Sequence, residues 1–181
     1  KALCRALYDA IQNDDVASIQ RLVAKGVDVD QAKGSISRGE GRVEYRVTPL
    51  MAATARGNLE AVRVLIQEGG ANINHLVEQE DGQILSLMVF SCFARNADIL
   101  RLFLEYGGDV NGGSQDTRIE TPLHAACMEN NVEMVNELMK AGADHKRGYG
   151  PPTANFAQKS AYQLAKERNC EEALEVMHNY S

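Results

Sequence analysis

The chain has 181 residues, a net charge of -6, 44% hydrophobic residues and no tryptophan. That length allows one sizeable domain or a short array of repeats, and the apolar content is sufficient for a core. The acidic balance argues against sequence-independent binding of nucleic acid, which needs a surplus of Lys and Arg. No apolar run approaches the ~18 residues of a membrane span. We therefore expect no nucleic acid as a partner and no insertion into a membrane.

A six-residue motif recurs along the chain and predicts the start of a helix in each copy. In chain order the copies read RALYDA, TPLMAA, SLMVFS, TPLHAA and SAYQLA. They begin at residues 5, 48, 86, 121 and 160, so successive starts are 43, 38, 35 and 39 residues apart. A Thr or Ser in the first position can cap the helix with its hydroxyl. Pro49 and Pro122 then fall in the first turn, where a missing N–H costs nothing.

A second motif keeps step with the first and predicts a second helix in each copy. Apolar residues recur at helical spacing at Val62, Leu65 and Ile66; Ile99, Leu102 and Phe103; and Val135, Leu138 and Met139. A glycine follows the second helix in the first four copies, at Gly26, Gly69, Gly107 and Gly142, and the fifth copy stops in its second helix. Between the helices, Gly57-Asn58 and Asn130-Asn131 predict tight turns. Two motifs that recur together indicate paired helices repeated along the whole chain.

These residues resemble the ankyrin repeat, whose pattern is T-P-L-H-x-A-A, a short turn, a second apolar helix and then G-A-D-x-N. The resemblance implies an all-α solenoid of stacked helix-turn-helix units with long β-hairpin-like loops. We expect one domain over 1–181, with repeats at 5–47, 48–85, 86–120 and 121–159 and a C-terminal cap at 160–181. The family period is 33 residues, so the extra residues of every copy are predicted to lie in loops. Polar residues on the first and last helices look like caps, so we expect either a nearly complete solenoid or flanking sequence that adds something other than more repeats.

Residues suited to catalysis or metal binding are few. The four cysteines lie far apart in sequence, at Cys4, Cys92, Cys127 and Cys170. They lack the spacing of a zinc site, each lies in a predicted helix, and we expect them to be buried and reduced. The resemblance implies that His124 bonds the backbone of adjoining loops. We predict no enzymatic activity, no cofactor and no metal site.

Asn74 and Asn111 end two copies of the G-A-D-x-N element. The resemblance implies that an oxygen-sensing dioxygenase could hydroxylate such residues. The alternative is an asparagine that bonds its own turn.

The resemblance also implies a partner-binding concave side, formed by loop tips and by the exposed face of each first helix. The exposed positions should be Asp9, Gln12 and Asn13; Ala52, Ala55 and Arg56; Phe90, Phe93 and Ala94; and Ala125, Met128 and Glu129. Phe90 and Phe93 depart from the small or polar residues expected there. With Met128 they would form an apolar patch, rimmed by Arg56 and Glu129, of the kind that marks interaction sites. The alternative is that this repeat buries both rings.

The loops supply a second set of candidates. Residues 43–47 alternate in a strand-like way, which predicts an extended hairpin. The loop of residues 146–159 is long enough to be either ordered or mobile. The candidate contacts in the loops are Arg42, Tyr45, Arg46, Gln83, Arg118 and Glu120.

We therefore predict a scaffold or adaptor of the cytoplasm or nucleus, monomeric on its own, that binds another protein or a peptide. The alternative is a regulatory or substrate-recruiting ankyrin domain of a larger enzyme, channel or secreted effector. A standalone enzyme would instead need a spatial cluster of perturbed titratable groups.

Overall fold

The computed structural model describes residues 2–31, 34–38, 43–78, 84–112, 120–149 and 159–180. Within these ranges the chain forms ten helices in five consecutive pairs. The first helices are α1 (Ala2–Gln12), α3 (Pro49–Arg56), α5 (Leu87–Phe93), α7 (Pro122–Met128) and α9 (Ala161–Glu167). The second helices are α2 (Val16–Ala24), α4 (Leu59–Gln67), α6 (Ala97–Glu105), α8 (Val132–Lys140) and α10 (Glu171–Asn179). The predicted solenoid of helix pairs is confirmed.

Antiparallel hairpins connect several of the pairs. Strand β1 (Gly34–Arg38) pairs with β2 (Val43–Val47), so residues 43–47 form a strand as predicted. Strand β3 (Leu76–Glu78) pairs with β4 (Ile84–Ser86), and β5 (Gly148–Tyr149) pairs with β6 (Lys159–Ser160). The second strand of each hairpin ends at the N-cap residue of the next first helix or one residue before it, which places these hairpins at equivalent positions along the stack.

Short polar side chains cap most of the helices. The hydroxyl oxygens of Thr48 and Thr121 accept bonds from backbone N–H groups three residues on, and Ser160 forms a capping box with Gln163. The second helices are capped in the same way by Asp15, Asn58, Asn96 and Asn131. Ser86 makes no side-chain cap bond, so the prediction of a hydroxyl cap is wrong for the third copy.

The turn between the two helices of a pair needs one residue in the left-handed region. It is the ninth residue after each motif start, namely Asp14, Gly57, Arg95, Asn130 and Asn169, with φ from 49° to 69°. Asp, Gly and Asn tolerate this conformation, whereas a long side chain rarely adopts it. Arg95 therefore makes the least favourable turn of the five. After α4 the left-handed residue is Gly70 (φ 65°) rather than Gly69.

The core runs along the whole stack. Each first helix packs on the next first helix, and each second helix packs on the next second helix. The described residues form one apolar cluster that extends from Leu7 in α1 to Met177 in α10. Because each pair buries its apolar face against its neighbours, the stack is a single cooperative framework for the side chains that remain outside.

Candidate interaction surface

The last turn of every first helix carries one equivalent residue, seven positions after the motif start. These residues are Gln12, Ala55, Phe93, Met128 and Glu167, which together we call the inner strip. The three central members are apolar and the two outer ones are polar. Met128 is 38% exposed, and Phe93 is half-buried against the core. The strip therefore offers apolar surface only in its middle.

Phe90 does not belong to this surface. The expectation that it is exposed is wrong, because Phe90 is 7% exposed and lies in the core cluster. Ala52 and Ala125 hold the equivalent position in the neighbouring copies, and they are buried as well, against expectation. This position packs within the layer of first helices, so its burial does not depend on the size of the side chain. The alternative interpretation, in which this repeat buries both rings, is correct for Phe90. It is correct only in part for Phe93, whose ring is partly buried.

Charged residues border the inner strip at the first-helix ends. Arg56 Nε donates to Asp14 Oδ1 at 2.9 Å, and Arg56 Nη2 lies 2.5 Å from Asp14 Oδ2. Asn58 donates to the same carboxylate at 3.0 Å. These bonds hold the pKa of the Asp14 carboxyl well below its usual range. The cluster ties the first helix pair to the second, although exposure and salt screening keep such pairs weak.

A second group of charged residues lies at the C-terminal end of α7, next to Met128 in the chain, paired with that neighbour or bonded to the Met128 backbone. Arg95 Nη1 lies 3.8 Å from Glu129 Oε2, and the Arg95 side chain is 63% exposed while that of Glu129 is 23% exposed. On the other side, Arg168 Nη1 donates to the carbonyl oxygen of Met128 at 3.3 Å. Two guanidinium groups and one carboxylate therefore lie at the C-terminal end of α7, where Met128 is exposed.

The loop candidates are described only in part. Arg46 is exposed, and Glu120 is half-buried directly before Thr121. Tyr45 lies in β2, but its side chain is outside the described part of the structure. Arg42, Gln83 and Arg118 also lie outside the described residues, as does most of the loop at 146–159. The loop tips therefore stay predictions.

The titratable groups inside the stack are placed for packing. All four cysteines are buried, and none forms a disulfide bond. Burial raises the pKa of the Cys92 and Cys127 thiols to about 12. Cys170 is the N-cap residue of α10 rather than a helical residue.

Among the described residues, no three His, Cys, Asp or Glu side chains are grouped to hold a metal ion. In the same ranges, no helix is long and apolar enough to span a membrane.

His124 joins the fourth helix pair to the fifth. Its Nε2 lies 2.8 Å from the carbonyl oxygen of Lys159, so Nε2 carries the proton and Nδ1 accepts from the Thr121 hydroxyl at 2.6 Å. Burial lowers the pKa of this imidazole, which favours the neutral ring that these bonds require. The expected bond to an adjoining loop is confirmed.

Tyr8 occupies in the first copy the motif position that His124 occupies in the fourth. The sequence analysis did not identify Tyr8 as a bridging residue. Its hydroxyl lies 2.7 Å from the carbonyl oxygen of Val47 and 2.8 Å from that of Gln31. Val47 precedes the cap residue of α3, just as Lys159 precedes the cap residue of α9. Tyrosine therefore replaces histidine as the bridge between the first two helix pairs.

The loops after the second helices form a ladder of hydrogen bonds at repeat spacing. Its rungs run from the backbone N–H of Asn72 to Asp30, from Asp109 to Asn74 and from Asp144 to Asn111, at 2.8–2.9 Å. Asn74 Nδ2 also donates to the carbonyl oxygen of Gly107 at 3.1 Å. Within each turn, the side chain that accepts a bond is that of the residue two places before the asparagine. Asn72 accepts from the backbone N–H of Asn74, and Asp109 accepts from that of Asn111. The alternative that Asn74 and Asn111 bond their own turns is therefore wrong, because both bond the next loop.

Comparison with known proteins agrees with this architecture. A family model described as "Ankyrin repeats (3 copies)" matches residues 7–111 and 73–149. Ankyrin repeat and SOCS box protein 11 of Homo sapiens is 30% identical over 125 residues, which cover 69% of this chain and 34% of that protein. The same protein of Mus musculus is 28% identical over 134 residues, 74% of this chain and 37% of that protein.

A second kind of relative is an enzyme. Palmitoyltransferase Hip14 of Drosophila melanogaster is 33% identical over 103 residues, which cover 56% of this chain and 15% of that protein. The chain thus spans about a third of the length of the SOCS box relatives and a smaller share of the palmitoyltransferase.

Proposed function

The chain belongs to the ankyrin-repeat family, and we propose that it acts as a scaffold or adaptor that holds another protein or a peptide on its first-helix face. Ankyrin repeats are protein-interaction modules. The docking surface is the inner strip, with the neighbouring loop tips around it. On the strip side the contact residues are Arg56, Phe93, Met128 and Glu129. On the loop side they are Arg42, Tyr45, Arg46, Gln83, Arg118 and Glu120.

One observation carries this proposal, namely the apolar centre of the inner strip. Met128 is exposed in the middle of a rigid stack, between half-buried Phe93 and charged neighbours. Aromatic residues, Met and Arg are enriched at protein interfaces, where apolar residues form the centre and polar ones the rim. A preformed surface also loses little conformational entropy when a partner binds. Phe90 supports the surface from below and does not touch the partner.

Comparative affinity capture followed by quantitative mass spectrometry tests the proposal. Met128→Glu places a charge in the apolar centre and should abolish capture of the partner. Leu3→Glu is the matched control, because Leu3 is also an exposed apolar residue, 45% exposed, but lies in α1 outside the strip. Melting curves of both variants should stay close to that of the wild type. Partners that are captured equally by both variants would refute the inner strip as the docking surface.

The second candidate function is a regulatory or substrate-recruiting domain of a larger enzyme. The match to 15% of a palmitoyltransferase favours it, since that relative carries a similar segment within a much longer chain. The length of the complete open reading frame distinguishes the two candidates. In either case the partner is recognised inside the cell, a location supported by four cysteines that are buried and free of disulfides.

A further inference from the structure

The apolar centre of the inner strip, from Ala55 to Met128, has different charge surroundings at its two ends. Beside Ala55, the Arg56 guanidinium is already taken up by two bonds to the Asp14 carboxylate. Beside Met128, Arg95 reaches Glu129 only at 3.8 Å, and Arg168 bonds a neutral carbonyl group. The two ends of this apolar centre therefore differ in how much of the nearby positive charge remains available.

The exposed charge beside Met128 that is not already in a close ion pair is positive, although the chain as a whole is acidic. Glu167, the next member of the inner strip, is 52% exposed, but its carboxylate is bonded to Lys159 at 2.6 Å. Arg95 is 63% exposed, Arg168 is exposed, and Glu129 is only 23% exposed. A partner carboxylate that approaches Met128 therefore meets two exposed guanidinium groups, whereas Glu129 is more buried and Glu167 is already paired with Lys159. An exposed ion pair at 3.8 Å is weak, so a partner carboxylate can replace Glu129 at Arg95 with little loss.

We propose that the partner segment presents an apolar side chain next to a carboxylate, with the apolar side chain on Met128 and Phe93 and the carboxylate on Arg95 and Arg168. This inference rests on the proposed function and adds the chemistry of the partner. Methionine adapts its shape to different apolar side chains. Arginine binds carboxylates in a planar two-bond geometry, which fixes the orientation of the segment. The bound segment is an acidic, apolar-anchored peptide.

Selection from a displayed library of random peptides on the intact chain tests this inference directly. The selected sequences should place Asp or Glu close to Leu, Met or Phe. Synthetic copies of the selected peptides are then titrated against variants by fluorescence polarisation. Arg95→Glu with Arg168→Glu, and separately Met128→Ala, should each raise Kd by about tenfold or more, a change well above the effect of an exposed charge elsewhere.

The control is Arg5→Glu with Arg63→Glu, which changes the net charge equally but lies in α1 and α4, two or more helix pairs away from α7 and Met128. It should change Kd by less than about twofold, and its salt dependence should match that of the wild type. If the Glu variants of Arg95 and Arg168 have a lowered Tm, Arg95→Gln with Arg168→Gln removes the same positive charges without introducing negative ones.

The possible outcomes separate the two proposals. Selected peptides that are basic, or whose Kd depends on Met128 but not on the two arginines, overturn the inference about charge and leave the docking surface standing. If no selected peptide depends on Met128, both the inference and the inner strip as a docking surface fail.

Discussion

The hydroxyl oxygen of Tyr8 lies 2.7 Å from the carbonyl oxygen of Val47, which is 39 residues further along the chain. This contact joins the first helix of one pair to the residue that leads into the next pair. His124 makes the equivalent bond to Lys159. Met51 and Val89 occupy the same motif position in the second and third copies, and their side chains have no donor for such a bond. The described bridges at this position therefore lie near the two ends of the stack.

Removal of the Tyr8 hydroxyl should destabilise the stack. Tyr8→Phe should lower the free energy of unfolding by about 1 kcal/mol, the net contribution of a typical internal hydrogen bond. In a chain of this size that corresponds to about 2–4 °C in Tm. Tyr180→Phe is the matched control, because that hydroxyl belongs to a residue 44% exposed and makes a longer bond of 3.3 Å to Asn136. Equal losses in the two variants would contradict the bridge.

Gly34 leaves the space that the Tyr8 ring occupies. A Cβ atom at this position would lie 2.1 Å from Cε1 of Tyr8. Gly34→Ala should therefore displace the ring and cost about 1–3 kcal/mol, as overpacking usually does. In a Tyr8→Ala background the same substitution should cost much less, because the clash is gone. Urea unfolding of the four proteins measures the coupling, and strictly additive losses would show that the two residues do not compete for space.

The loop ladder should respond in a graded way at Asn74. Asn74→Ala removes the acceptor for the N–H of Asp109 and the donor to Gly107. We expect a loss of about 1 kcal/mol, since the bonds are partly replaced by water. Asn74→Asp keeps the acceptor, so it should cost less and should preserve slow hydrogen exchange at the Asp109 amide. The prediction fails if the Asp109 amide exchanges equally fast in both variants.

Alanine substitutions at Phe90 and Phe93 should have different effects, the first mainly on the free energy of unfolding and the second mainly on partner binding. Phe90→Ala should cost about 3–5 kcal/mol, because it empties a buried site. Phe93→Ala should cost clearly less and should weaken partner binding instead, since that ring is half-buried at the surface. Urea unfolding measures the first effect, and titration of a selected peptide measures the second. A larger loss of stability at Phe93 than at Phe90 would reverse the assignment.

The Asp14–Arg56 contact should make part of the stability depend on pH. The folded-state pKa of Asp14 is depressed, so its contribution is present above the ordinary aspartate pKa of about 3.9 and is lost as the pH falls below it. Asp14→Asn should therefore melt below the wild type at neutral pH, with a gap that narrows on acidification. Asparagine also tolerates the left-handed turn at this position, so the substitution tests the carboxylate and not the turn. A gap that does not change with pH would show that ionisation of Asp14 does not contribute to stability.

The amino-acid sequence alone determined the helix pairs, the hydroxyl caps at Thr48 and Thr121, and the turns at Gly57 and Asn130. Each of these features depends on residues within a few positions of one another, where steric limits and short-range hydrogen bonds act independently of the rest of the fold. The failures of the same reasoning, at Ser86 and Gly70, lie where the third copy is divergent and where the second carries one extra residue.

Only the tertiary structure decided which of these side chains meet across the stack. The burial of Phe90, the bridge from Tyr8 to Val47 and the bond from Asn74 to the next loop all cross from one pair to its neighbour. Their partners are set by the register in which consecutive pairs pack, and that register depends on all the apolar faces together. A motif read within one copy carries no information on that register, because the energy that fixes it arises between copies.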